Sequence, residues 1–235
     1  NGAVDLSGAS TTTIQSDLTL DTTGAANGTA VSLAALGGNR ALTVAGGDAD
    51  LTLGGAVTGL TGLTVSSADT VTVSGTLDLP GPVALTSSEG TDLDAAIGSA
   101  TAPATLAVNG ALNAGADLTA AGDLTLAGAV TLSGSARSFA STSGDLTLAG
   151  ALDGAQDLTL TASNGTITLR AVGGSTPVGA LDLNANAATL GGSVAAASFD
   201  TLGVGLTTIA ATSGAAGITI PTVTVGVGAL GGANH

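Results

Sequence analysis

One word recurs along this chain. Asp-Leu-Thr-Leu stands at residues 17–20, 50–53, 123–126, 145–148 and 157–160. Leu-Thr-Leu alternates apolar, polar and apolar side chains, the period of a strand with one buried face. Related words fill the intervals, among them Val31-Ser32-Leu33, Leu63-Thr64-Val65, Val83-Ala84-Leu85, Thr166-Ile167-Thr168-Leu169, Leu181-Asp182-Leu183 and Val223-Thr224-Val225. Ala-Gly and Ser-Gly pairs break most of them within four or five residues, so the predicted strands are short.

The words keep a register. Leu42, Leu63, Val83, Leu106, Leu124, Leu146 and Ile167 are separated by 21, 20, 23, 18, 22 and 21 residues. A strand word repeating at that interval predicts a β-solenoid, a parallel β-helix with two or three short strands per coil. Dividing the length by the interval predicts roughly eleven coils of about 21 residues in a single domain over 1–235. In such a coil the residues flanking each Thr point inward and stack along the axis, while the β-branched Thr faces solvent. Leu124, Leu126, Leu146, Leu148, Ile167 and Leu169 are therefore expected inside, and Thr125, Thr147 and Thr168 outside. Gly, Asn and Asp take the corners. Three stretches break the pattern: 86–103, expected to be a loop with at most one helical turn; 173–177, a second loop; and 185–199, Ala-rich and expected to form larger corners. An antiparallel sandwich would also use strands every 8–12 residues. The return of similar words at about 21 residues favours the helix, and the dense alternation with little charge argues against disorder.

Composition narrows the core. Hydrophobic residues make up 44% of the 235, but the aromatics are two Phe alone. Small aliphatics suit a narrow interior between sheets. Charge is sparse and one-sided, with 17 acidic residues against Arg40, Arg137 and Arg170, giving −14. Such a surface repels nucleic-acid phosphates and anionic membranes, so neither is an expected partner. No run of 18 uninterrupted apolar residues predicts a membrane helix. There is no Cys, which is compatible with export, and Asn1 opens directly on strand-like sequence without a signal peptide, as in an excised or mature segment.

Chemistry-bearing residues are few. The single His is His235, so no nucleophile–base triad or zinc cluster is expected. Asp48 with Asp50, and Asp92 with Asp94, are spaced so that two carboxylates share a loop or a strand face. That spacing makes these four the candidates for calcium or for glycoside hydrolysis, weighed against solvated turn residues, the favoured reading. No organic cofactor is implied. Gly226-Val-Gly228-Ala-Leu-Gly231 fits a dinucleotide pattern, yet four residues remain after it and no helix can follow. Asn27-Gly-Thr29 and Asn164-Gly-Thr166 fit glycosylation sequons, although Asn-Gly is first a turn. The Asp that precedes each Leu-Thr-Leu is read as a corner residue bonding its local backbone. The three Arg are read as corner or surface groups.

The words Gly-Asp-Leu-Thr-Leu-Ala-Gly-Ala, the run 157–169 and Gly38-Asn-Arg-Ala-Leu-Thr-Val44 resemble the repeats of filamentous-haemagglutinin-type bacterial exoproteins, over about residues 10–225. Autotransporter passengers share the pattern. The resemblance implies a right-handed β-helix shaft, extracellular or on the cell surface, non-enzymatic and adhesive or structural. It also implies surface glycans or neighbouring cells as ligands, and the family's secretion domain is not recognisable here, as in an internal shaft segment. Two alternatives stand beside it: a polysaccharide-cleaving β-helix, and an ice-binding solenoid using outward Thr. The two ends of a β-helix are unpaired edges, and neither looks like a charged cap. Residues 201–234, with Pro221 between two strand words, carry no ionised side chain. Both ends are therefore expected to meet further protein, by head-to-tail self-association or as part of a longer chain.

Overall fold

The structure, a computed structural model, describes residues 3–24, 28–209, 218–219, 223–224 and 230–231. His235, Gly226, Gly228, Asn27, Pro221 and most of the tail singled out above as a junction lie outside them. The described residues form strands, turns and bends with no helix, and every strand pair is parallel. The chain is a β-solenoid of stacked coils of about 21 residues. The coils number about nine, against the roughly eleven obtained by dividing the length. Some corners are longer than average, as in the first coil, where Val4 pairs with Val31, and much of the last stretch is not described.

By internal contacts the chain divides into two compact units, Asn1–Ala120 and Ala121–His235. In the first, three sheets run along the stack. One takes Val4–Leu6, Val31–Leu33, Leu51–Leu53, Thr70–Val73, Gly90–Leu93 and Leu112–Ala114. A second takes Thr12–Thr13, Leu36–Gly37, Val57–Thr58 and Leu77–Asp78, then continues as single bridges through Ile97 to Leu118. The third takes Leu18–Asp21, Ala41–Ala45, Gly62–Ser67, Val83–Thr86 and Leu106–Asn109. In this third sheet Leu42, Leu63, Val83 and Leu106 stack in the order that the spacing predicts.

In the second unit Leu124–Leu126, Leu146–Leu148 and the end of Leu158–Leu169 stack as Leu124, Leu146 and Ile167. Here strands lengthen and turn corners without breaking. Leu158–Leu169 pairs with Arg137–Ser141 through its first half and with Leu146–Leu148 through its second, and its pairing with Val178–Leu190 shifts register between Ala162 and Thr166.

Leu124, Leu126, Leu146, Leu148, Ile167 and Leu169 are buried, and Thr125, Thr147 and Thr168 are half-buried on the outer face. The interior is aliphatic, with Phe139 its largest fully buried side chain. Each coil is one side chain thick, so it buries its inner face only when another lies on it. Two irregular stretches differ from expectation. Residues 86–103 hold no helical turn but a strand, Gly90–Leu93, whose buried Thr91 hydroxyl lies 3.2 Å from that of Ser87. The loop begins only after Ile97. Residues 185–199 are not large corners but parts of two long strands, Val178–Leu190 and Val194–Ile209. Their inward residues include Ala185, Ala188 and Ala196. Ala scores weakly as either apolar or polar, so the alternation is faint in sequence although the backbone keeps it. Residues 173–177 form a loop, as expected.

Truncating Leu146 to Ala leaves a cavity between two layers and should lower unfolding stability by about 2–5 kcal/mol. Thr147→Ala beside it should stay within about 0.5 kcal/mol. Chemical denaturation of the two variants checks the pair, and equal losses would refute the inward assignment.

Candidate functional site: the acidic corners

The side chains that do the most chemistry are the Asp residues at the corners, and they act between coils. Asp123 Oδ1 accepts the Asp145 backbone N–H at 3.0 Å, and Asp145 Oδ1 accepts that of Thr166 at 2.8 Å. Asp17 takes the Ala41 N–H at 3.0 Å, and Asp157 takes the Ala180 N–H at 2.7 Å. The geometry has one cause. The backbone ladder starts at the Leu after the Asp, as where Leu124 N–H donates to the Asp145 carbonyl at 2.9 Å. The N–H directly above the Asp has no carbonyl beneath it, and the carboxylate takes that place. The expectation for the Asp before each Leu-Thr-Leu is a bond to its local backbone, a pattern found instead at Asp5 and Asp21, which accept the N–H and hydroxyl of Ser7 and Thr23. It fails at the Asp-Leu-Thr-Leu corners, because stacking brings the next coil to about 4.8 Å. At Asp50 the donor is the Thr70 hydroxyl, 2.6 Å away.

Two further carboxylates pin loops, a role the sequence reading missed. Asp78 Oδ1 accepts the N–H groups of Ala100 and Thr101 at 2.7 and 3.2 Å, with the Ser99 hydroxyl at 3.2 Å. Asp153 Oδ1 accepts those of Ser175 and Thr176 at 2.7 and 3.0 Å. Each loop leaves the stack through a left-handed glycine, Gly98 (φ 76°) or Gly173 (φ 70°), and returns through Pro103 or Pro177. A Cβ at Gly98 would run into the Thr119 carbonyl, so both conformation and space require glycine. The common signal, Leu-Asp in one coil and Gly followed by Ser, Thr and Pro in the next, lies about 22 residues apart and shows only once the coils are aligned. For Asp78, burial pushes the carboxyl up, but the hydrogen bonds from Ala100, Thr101, Ser99 and Thr76 outweigh it and hold the carboxyl below the usual carboxylate range.

A third arrangement is repulsive. Asp182 and Asp200 are direct register partners on successive coils. Partial burial, then the charges of Asp200 and Asp157, push the Asp182 carboxyl up.

The four residues singled out from sequence are dispersed. Asp48 is exposed in the turn before Asp50. Asp92 lies on the outer face of its strand, where its carboxylate accepts the Asn113 amide at 3.2 Å, and Asp94 is exposed just beyond. Among the described residues no group of three or more His, Cys, Asp or Glu is placed to hold a metal ion. The Asn164 amide donates to the Thr142 carbonyl at 3.1 Å. Arg137 caps its turn by donating to the Ser133 carbonyl at 2.6 Å, Arg40 donates to the Gln15 carbonyl at 3.1 Å, and Arg170 is exposed. Ser141, wholly buried, donates to the Gly122 carbonyl and accepts the Gly144 N–H. No helix among the described residues is long and apolar enough to cross a membrane.

Stacked aliphatic layers and carboxylates that bridge coils define a parallel β-solenoid. Set against protein-family profiles, curated proteins and solved structures, the chain matches none.

The two kinds of Asp respond to pH with opposite sign. Asp78 titrates below its unfolded value, so its contribution is present above pH 4 and is lost as pH falls through the folded value. Asp182 titrates above its unfolded value, so stability is gained as pH falls through its raised value. At pH 7 Asp78→Ala should cost about 1.5–3 kcal/mol, the scale of hydrogen bonds to a charged group, and Asp182→Asn should add about 0.2–1 kcal/mol. Melting curves from pH 7 to 3 check both, and each difference should shrink toward the acid end.

Proposed function

We propose that this chain is a non-enzymatic, extracellular bacterial β-solenoid that serves as a shaft, spacing or joining other parts of a surface protein or fibre. The observation that carries the reading is the engagement of its carboxylates: Asp17, Asp78, Asp123, Asp145, Asp153 and Asp157 each bond the backbone of another coil. These acids serve the stacking itself. Polysaccharide cleavage would need two carboxylates flanking one bond, and the paired candidates are less free for that role, since Asp50 is bonded to Thr70 and Asp92 to Asn113. The acidic surface also keeps copies apart in solution. Antibodies raised against the purified chain should label intact source cells, and deleting its gene should weaken cell–cell or cell–surface cohesion. Labelling that appears only after permeabilisation would refute the extracellular assignment.

One observation favours the ice-binding alternative. Thr125, Thr147, Thr168 and Thr189 stack in four consecutive coils, each half-exposed, which places their hydroxyls about 4.8 Å apart along a file. The outward positions two residues earlier are Asp123, Asp145, Thr166 and Ala187, so no second Thr file runs beside the first. Thermal-hysteresis measurements separate the readings. The shaft predicts none, and a hysteresis that Thr147→Leu removes would favour ice.

A further inference from the structure

Glycine follows asparagine at 1–2, 27–28, 109–110 and 164–165, and the last two pairs lie wholly within the described residues. At 164–165 the fold itself demands the glycine. A Cβ there would run into the Gly144 carbonyl and come within 2.8 Å of the Asp145 carboxylate. A residue without a side chain leaves its own backbone nitrogen open to the side chain before it. Asn164 is exposed, and its side-chain amide carbon is an electrophile that this nitrogen can reach by closing a succinimide ring.

The backbone ladder separates the two described pairs. Asn109 ends its strand in register with Thr86, and its carbonyl accepts the Ser87 N–H at 3.0 Å. Asn164 and Gly165 fall where Leu158–Leu169 changes partners. Toward the preceding coil, pairing stops at Ala162 opposite Ser141 and resumes at Ile167 opposite Leu146. Toward the following coil, it stops at Ala162 opposite Ala185 and resumes at Thr166 opposite Ala187. Residues 163–165 thus have no register partner on either side, and rotating them breaks no ladder pair. The Asn164 amide itself is held by its bond to the Thr142 carbonyl, at 3.1 Å.

We propose that Asn164 is a self-modification site, converted to aspartyl and isoaspartyl forms by attack of its own backbone. The Gly165 nitrogen bonds to Asn164 Cγ, and the side-chain amide leaves as ammonia, taking the Gly165 proton. Water then opens the succinimide. Cleavage of the new Cγ–N bond gives Asp, and cleavage of the original peptide bond leaves the chain running through Cγ as isoaspartate. Water enters, ammonia leaves and nothing is oxidised. Either product replaces the amide donor with a carboxylate oxygen opposite the Thr142 carbonyl, so an attraction between coils becomes a repulsion. The isoaspartyl form also lengthens the backbone just ahead of Thr166. The N–H of that residue is fixed on Asp145 at 2.8 Å, and the ladder from Ile167 to Leu169 begins beside it. The contact between these two coils therefore loosens as the chain ages.

Ageing the purified chain in warm, mildly alkaline buffer tests this. Trypsin cuts at Arg40, Arg137 and Arg170, so peptide 138–170 carries Asn164 as its only Asn, and peptide 41–137 carries Asn109 with Asn113. Mass spectrometry reads the exchange of amide for acid, and an isoaspartyl methyltransferase labels the isoaspartyl product. In the folded chain, peptide 138–170 should convert about fivefold faster than peptide 41–137, the scale of one backbone hydrogen bond. In urea the two should convert at similar rates, because no ladder then protects Asn109. Asn164→Gln, with Asn164→Ser as a second variant, should leave peptide 138–170 unchanged. Ageing should lower the melting temperature of the natural chain and not that of either variant. No conversion at 138–170, equal or faster conversion at 41–137 in the folded chain, a preference that persists undiminished in urea, or conversion without isoaspartyl labelling would each overturn the proposal. An equal fall in melting temperature in the natural chain and both variants would overturn the assigned consequence.

Discussion

Everything in this molecule depends on laying one coil directly on the next at the spacing of hydrogen-bonded strands. A coil of small aliphatics cannot close a core alone, so cohesion arises between coils. That spacing also governs where glycine must stand. A Cβ on Gly165 would strike the Gly144 carbonyl one coil away, because backbone passes over backbone there with no room for a side chain. The aromatic-poor composition follows from the same constraint. A layer one strand spacing deep accommodates Leu, Val, Ile and Ala readily, and a single Phe, Phe139, among the fully buried side chains.

Acidity, seen as composition, suggests only a soluble coat. In place, it is part of the stacking. Corners interrupt the backbone ladder and leave an N–H without a carbonyl, and a short carboxylate is the side chain that fills the gap while remaining in contact with solvent. The same register that makes an Asp useful beneath an N–H makes it costly beneath another Asp, as at Asp182 and Asp200. Successive coils superpose like residues as readily as complementary ones, so the distribution of Asp along a repeat is a compromise between capping and repulsion.

The two acid-anchored loops show how such a fold accepts insertions. A coil lengthens at a corner without disturbing the layers above and below, provided that the added backbone amides find an acceptor. Asp78 and Asp153 meet that need from the preceding coil, in two places, with the same glycine exit and proline return. This pairs a tolerated irregularity with a local cost in acid, where the anchor loses its charge.

The sequence by itself determined the fold class, the inward and outward alternation at residues such as Leu146 and Thr147, and the stacking order from Leu42 to Leu106 and from Leu124 to Ile167. These are legible because a strand's two-residue period and a coil's length are both written linearly. Ala-rich strands were not legible, since Ala185 and Ala188 give no contrast between faces, and neither was the strand at Gly90–Leu93, whose inward Thr91 reads as polar although a buried partner hydroxyl satisfies it. The sites were the least legible. Whether Asp123 bonds its own corner or the next coil, whether Asp78 holds a loop, and whether Asp182 faces Asp200 all depend on which residues lie one coil apart in chain, 22 positions in the first two cases and 18 in the third, and one strand spacing apart in space. Only the tertiary structure decided that, because a shift of one residue in register would replace each of those partners with another.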